Sequence, residues 1–185
     1  MGSLTAAAVA LASALGGAPA EAEFARTCET RVEGPPGARY EVRPAHDVVV
    51  GRVTFIGVRD RLLLGSARRT DPIAKLPAVV TAGPPVTVRL RPLGRARARL
   101  DFDPSEWRRR VRRIARGAGQ RAVRFEPCAP DAPRFTDGRP LGDQTGFNGG
   151  FLVARRGCVR LVARAAGEPV VRRRVALGVP PRRCS

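Results

Sequence analysis

Hydrophobic and polar residues alternate with a period of two along most of the chain from Tyr40 onward. The clearest stretch runs from Arg95 to Phe102, where apolar and mostly basic positions alternate. Its apolar positions are Ala96, Ala98, Leu100 and Phe102, and its charged positions are Arg95, Arg97, Arg99 and Asp101. Such alternation is typical of antiparallel strands with one face on the core and the other in water.

Eight or nine short strands are predicted at the spacing of a β-sandwich, with no helix between consecutive strands in a βαβ rhythm. They fall at 48–50, 53–58, 78–81, 86–90, 95–102, 123–125, 151–154, 159–164 and 171–179. The predicted fold is therefore all-β, an immunoglobulin-like antiparallel sandwich.

One segment departs from the period of two and predicts a short amphipathic helix over about 104–116. Asp103 can cap it, Pro104 suits the first helical position, and Glu106 follows the cap by three residues. The apolar residues Trp107, Val111 and Ile114 share one stripe, and Gly117 can end the helix.

The rest of this helix surface is covered by arginine, which makes it a candidate anion-binding site. Its residues are Arg108, Arg109, Arg112, Arg113 and Arg116. They could lie along phosphate groups or anionic lipid heads. The alternative is a solvated outer face of a helix whose tryptophan stripe packs on the sandwich.

The N-terminus has the pattern of a secretory signal peptide over residues 1–22, leaving 23–185 as a single domain. Residues 4–15 are almost wholly apolar, and the small residues Ala20 and Ala22 suit a signal peptidase. No Lys or Arg precedes the apolar stretch, so retention as an anchor stays open. We expect a secreted or envelope-exposed protein.

The four cysteines, Cys28, Cys128, Cys158 and Cys184, contain no C-x-x-C pair. Zinc sites and redox motifs use such close pairs, so neither is favoured. An even number of cysteines in an exported chain predicts two disulfides, with three possible pairings. The pairing that we favour from the sequence is Cys28–Cys184 with Cys128–Cys158.

The chain is strongly basic, with 34 Lys and Arg against 16 Asp and Glu and a formal net charge of +18. All of these basic residues except Lys75 are arginines, a bias that GC-rich codons also produce. Such a field attracts polyanions. The expected partner is an anionic envelope polymer or a membrane surface. Nucleic acid is not favoured, because aromatic residues for base stacking make up only 5% of the chain.

Few residues suit catalysis, so we expect a non-enzymatic binding domain without a cofactor, metal or small-molecule substrate. The chain has no G-x-S-x-G motif, and His46 is its single histidine. The alternative is an enzyme or enzyme inhibitor with its site on the loop 127–148. Converging polar side chains in that loop would favour the alternative, and an uninterrupted arginine face would favour binding.

Several short segments together resemble a family of small secreted proteins of high-GC bacteria. They are Val53–Gly57, Lys75–Pro77, Ala82-Gly83, Val86–Val88, Val123–Cys128, Thr145–Phe151, Gly157–Val159, Leu177-Gly178 and Cys184. The resemblance implies a disulfide-bonded β-sandwich and export, and it carries no activity.

Overall fold

The computed structural model describes residues 24–35, 38–59, 73–105 and 118–184. Within these ranges the chain forms twelve strands and two short 3₁₀ helices. The strands are β1 (Phe24–Arg26), β2 (Val48–Val50), β3 (Val53–Phe55), β4 (Ile73–Lys75), β5 (Ala78–Thr81), β6 (Val86–Pro92), β7 (Arg97–Asp101), β8 (Ala122–Phe125), β9 (Gln144–Phe147), β10 (Gly150–Arg155), β11 (Gly157–Ala165) and β12 (Val171–Leu177). The 3₁₀ helices are Cys28–Thr30 and Pro181–Arg183.

Five strands form the first sheet, in the order β1-β8-β6-β11-β12. In this sheet β11 pairs with β12 from Gly157↔Leu177 to Ala163↔Val171. β6 pairs with β11 on the other side of that strand. All neighbours are antiparallel except β1, which runs parallel to β8.

The second layer is a bent sheet built from two shorter ones, β2-β3-β5-β9 and β4-β10-β7. β4 leads into β5 and β9 into β10, and the register is unbroken across the bend, with Ala78 opposite Phe147 and Lys75 opposite Gly150. Within the bend the Leu76 amide donates to the Gly149 carbonyl at 2.8 Å. The two ladders therefore act as one continuous layer.

Both layers bury their inward side chains in one hydrophobic core. Five buried phenylalanines run through it, with ring centroids 5.0 to 6.1 Å apart in edge-on or tilted contacts. They are Phe55, Phe102, Phe125, Phe147 and Phe151. Gly149 makes this packing possible, because a Cβ there would lie 2.1 Å from the Phe102 ring.

The structure confirms the all-β prediction and adds three strands to it. β1, β4 and β9 were absent from the predicted set, since the first two span three residues and β9 contains a glycine and two polar residues. Assignment to the immunoglobulin-like class stays a prediction. At the predicted helix the Ser105 amide donates to the Asp103 carboxylate at 2.8 Å, and Pro104 and Ser105 are helical. The remainder, 106–117, lies outside the described residues.

All four cysteines form disulfides, but the pairing expected from the sequence is wrong. The bonds are Cys28–Cys128 and Cys158–Cys184. Parallel pairing of β1 with β8 ends both strands side by side, which brings Cys28 next to Cys128. After β12 the chain folds back through the 3₁₀ helix Pro181–Arg183, which brings Cys184 to Cys158 on β11.

The two disulfides should differ in their contribution to stability, because they close loops of different length. Their sequence separations are 100 and 26 residues. Chain-entropy arguments assign about 4.7 kcal/mol to the longer loop and about 3.5 kcal/mol to the shorter one. We therefore expect the double variant Cys28→Ala/Cys128→Ala to unfold at lower urea concentration than Cys158→Ala/Cys184→Ala. The reverse order would contradict this explanation. In a separate measurement, thiol titration of the denatured wild type should find no free thiol.

A buried guanidinium group on β1, the end strand of the first sheet, joins three separate segments of the chain. Arg26 is 2% exposed, and its Nη1 donates to the Phe102 carbonyl at 2.7 Å and to the Asn148 carbonyl at 2.9 Å. Its Nη2 and Nε donate to the Thr30 carbonyl and hydroxyl at 2.5 and 3.0 Å. Burial lowers the pKa of Arg26, and the nearby charge of Asp103 acts in the opposite direction.

Replacing Arg26 with methionine should destabilise the fold by about 3–5 kcal/mol, because the buried carbonyls that it serves would lose their donors. Urea denaturation measures the loss. Arg124→Met is a matched control, because this exposed arginine lies on the neighbouring strand in a surface ion pair. The control should change stability by less than about 1 kcal/mol. Equal losses would show that the buried hydrogen bonds contribute nothing specific.

Candidate functional site

The outer surface of the first sheet carries an array of arginines, which we call the arginine face. On β6, β8, β11 and β12 the inward positions are mainly buried apolar residues, and the alternate positions point away from the core. The arginine face consists of Arg89, Arg91, Arg124, Arg160, Arg164, Arg172 and Arg174. Arg160 is half-buried and the others are exposed.

Strand register places three of these arginines in one row across the sheet. Arg160 on β11 lies directly opposite Arg91 on β6 and directly opposite Arg174 on β12. Directly opposite residues have Cβ atoms about 4.5–5.5 Å apart. Like charges at that distance repel, so this row costs the folded protein free energy.

The next row places a covered apolar side chain among arginines. Val162 points away from the core on β11 but is only 8% exposed. Arg89 and Arg172 are its neighbours across the strands. Arg160 and Arg164 flank it along its own strand. Four arginines are therefore the neighbours of this valine on the outer surface. Arginine stems can cover an apolar group while the charged heads stay in water.

Among the residues that the structure describes, little negative charge compensates the arginine face. Among the described residues one ion pair lies on it, between Arg124 Nε and Glu126 Oε1 at 3.0 Å. The other ion pairs among the described residues involve no arginine of the face: they include Arg31–Glu33, Arg39–Asp143, Arg43–Asp47 and Arg52–Glu168. The other six arginines of the face have no acidic side chain within ion-pair distance in the part of the chain that the structure describes.

The Cys158–Cys184 disulfide attaches the C-terminal segment to one end of this face. Cys158 shares the outward side of β11 with Arg160, two residues away. The 3₁₀ helix Pro181–Arg183 precedes Cys184 and packs near β12. Its exposed Arg182 and Arg183 are therefore held at the margin of the arginine face.

The anion-binding residues predicted on the helix lie outside the described residues. Arg108, Arg109, Arg112, Arg113 and Arg116 all fall within 106–117. The arginine face is a candidate site that was not predicted from the sequence. Arginines recur at even spacing in β6, β11 and β12, but their assembly on one surface depends on strand order and register.

The loop 127–148, the alternative candidate site, contains a short hairpin over 132–141 that contacts the segment 31–34. The Arg134 amide donates to the Arg139 carbonyl and the Leu141 amide to the Ala132 carbonyl, at 2.8 and 2.9 Å. Arg31 donates to the Pro133 carbonyl at 2.8 Å, and its guanidinium carbon lies 3.7 Å from the Phe135 ring centroid. The first two contacts lie within the loop, and the contacts of Arg31 attach the loop to the segment 31–34.

Asp143 and Gln144, at the end of the same loop, also contact the N-terminal segment. Arg39 donates to the Asp143 carboxylate at 3.0 Å. The Gln144 side chain exchanges two hydrogen bonds with the Tyr40 backbone, at 2.8 and 3.0 Å. Within the described ranges no three His, Cys, Asp or Glu side chains gather as metal ligands.

His46 lies in a turn, and the neighbouring Asp47 is a buried carboxylate that accepts several hydrogen bonds. Asp47 accepts hydrogen bonds from the Tyr40 hydroxyl at 2.6 Å and from the amides of Arg43 and Gly57 at 2.7 and 2.8 Å. Burial by itself would raise the pKa of Asp47, but these hydrogen bonds and the Arg43 charge together lower it. Burial and the bond to Asp47 raise the pKa of Tyr40. The cluster thus supports a turn of the backbone.

Comparison with known proteins gives no match: no family model, no curated protein and no solved structure matches the chain. In the part of the chain that the structure describes, no helix has the length and apolar character needed to cross a bilayer.

The Asp47 cluster predicts a pH dependence of stability. The pKa of Asp47 in the folded protein lies below its value of about 3.9 in the unfolded chain. The ionised Asp47 therefore stabilises the fold above that value, and this stabilisation is lost as the pH falls toward the folded pKa. Asp47→Asn should lower the free energy of unfolding at neutral pH by about 1–3 kcal/mol. It should also flatten the acid limb of the stability curve. Asp143→Asn, at an exposed ion pair, is the control. An unchanged acid limb in Asp47→Asn would refute the assignment.

Proposed function

We propose that the protein is an exported, non-enzymatic domain that binds an anionic component of the cell envelope through its arginine face. The observation that carries this proposal is the convergence of seven arginines on one sheet surface, six of them without an acidic partner among the described residues. Exposed arginines present paired N–H donors to phosphate or carboxylate groups. The energetic cost of collecting these charges is offset when an anion binds.

The shape of the site suits an extended ligand. Small-molecule sites are usually concave and enclose most of the ligand. The arginine face is the outer surface of a sheet, and its charges repeat across strands about 4.8 Å apart and along them at about 6.8 Å. A polyanion can contact several of these charges at once, which favours a polymer or an anionic surface.

Export is supported by two independent features. Two disulfides among the described residues suggest an oxidising, extracellular compartment. The N-terminal pattern of residues 1–22 has the composition of a signal peptide. We further propose that the chain belongs to the family of small secreted β-sandwich proteins that its sequence resembles.

The experiment compares two sets of four arginines that differ in location and match in charge. One variant replaces Arg89, Arg160, Arg172 and Arg174 of the face with Gln. The other replaces Arg109, Arg112, Arg113 and Arg116 of the predicted helix with Gln. Binding of the oxidised protein to immobilised heparin and teichoic acid is measured over a range of salt concentrations.

The face variant should lose most of its affinity, and the slope of log K against log salt should flatten by up to about 3 units. The helix variant removes the same charge, so it measures unspecific attraction. A larger loss of affinity in the helix variant would place the binding site on the predicted helix and would leave the proposed function unchanged. Wild-type protein that binds neither polymer at moderate salt would refute the proposed function.

A further inference from the structure

We infer that the ligand of the arginine face is a linear polymer bearing phosphate groups that runs across β6, β11 and β12, and that Arg160 is its central binding residue. This inference rests on the proposed function and names the chemistry and the orientation of its ligand. The row Arg91–Arg160–Arg174 carries it, because the row places three arginines directly opposite one another on adjacent strands.

Arg160 is the member of this row with the strongest repulsion. It lies between two like charges, whereas Arg91 and Arg174 each lie opposite one arginine in the row. It is also the only half-buried member, so water screens its charge less. The free protein therefore holds Arg160 in an unfavourable position, and a bound anion would turn that repulsion into attraction.

Phosphate fits this row better than carboxylate. A phosphate within a polymer keeps two unesterified oxygens that diverge tetrahedrally from the phosphorus, so they can accept from two arginines on neighbouring strands, about 4.8 Å apart. The two oxygens of a carboxylate lie in one plane and match the two parallel donors of a single guanidinium fork. Every basic residue of the face is an arginine, and arginine binds phosphate through two parallel hydrogen bonds where lysine acts as a point charge.

A polymer fits the face better than a lipid bilayer. Proteins that lie on a membrane usually insert large apolar side chains beside their basic residues. Among the described residues the exposed large hydrophobic side chains are Val42, Phe135 and Val170. Only Val170 lies near the face, just before β12, and Val162 within the face is covered. The surface offers positive charge without an apolar anchor.

The test uses Arg160→Thr with Arg155→Thr as its matched control. Threonine suits strands, and both variants remove one positive charge from a strand. Arg155 is exposed and faces Arg97 on the second layer, away from the arginine face. Affinity is measured for inorganic polyphosphate, for polyglutamate and for phosphatidylcholine vesicles containing phosphatidylglycerol. The melting temperature of each free protein is measured as well.

We expect Arg160→Thr to weaken polyphosphate binding by about tenfold or more, and Arg155→Thr by less than about threefold. Without ligand, Arg160→Thr should melt about 2–4 °C above the wild type, because the central repulsion is gone. Arg160→Lys keeps the charge and loses the fork, so it should weaken binding without raising the melting temperature. Polyphosphate should bind the wild type more tightly than polyglutamate or vesicles do.

Four other outcomes would each refute one part of the proposal. Equal affinity losses in Arg160→Thr and Arg155→Thr would refute the central role of Arg160. A lower melting temperature of Arg160→Thr would refute the repulsion in the free protein. Tighter binding of polyglutamate or of vesicles would refute the phosphate polymer and leave the proposed function standing. Wild-type protein that binds none of the three probes would refute the proposed function itself.

Discussion

The Arg26 guanidinium is the interaction on which the arrangement of the two layers depends. It is buried among backbone carbonyls rather than paired with a carboxylate, and those carbonyls belong to segments far apart in the sequence. Asn148, one of them, lies at the bend between β9 and β10. The bend lets one antiparallel ladder continue through two short sheets. The hydrogen bond from Arg26 to Asn148 holds this bend against β1. The first strand of the described chain thus positions the middle of the second layer.

The arginine face depends on this arrangement through the core. Inward residues of β6 and β11 pack against the second layer, so each alternate residue must point outward. The register then decides which outward residues meet. A shift of one residue in β11 would turn its arginines into the core. The charge pattern on the surface is therefore set by apolar packing on the opposite side of the same strands.

The sequence predicted the features that arise from local patterns. Alternation gave the all-β class, and the Asp103 cap was visible as the start of a helix. Features that arise from strand order were not predictable in the same way. The pairing of Cys28 with Cys128 requires the parallel contact of β1 with β8, and a three-residue strand leaves no detectable period. The row through Arg160 likewise joins residues from three strands that are distant in sequence.

The position of β12 has a consequence for self-association. It is the last strand of the first sheet, and its consecutive residues Arg172, Arg173 and Arg174 are all exposed. Unpaired strand edges tend to join the edges of other copies, and charged residues oppose this. Three arginines at one edge would make two copies repel and would oppose edge-to-edge pairing. A polyanion that neutralises them removes that barrier, so a single polymer chain would gather many copies along its length into a dense layer.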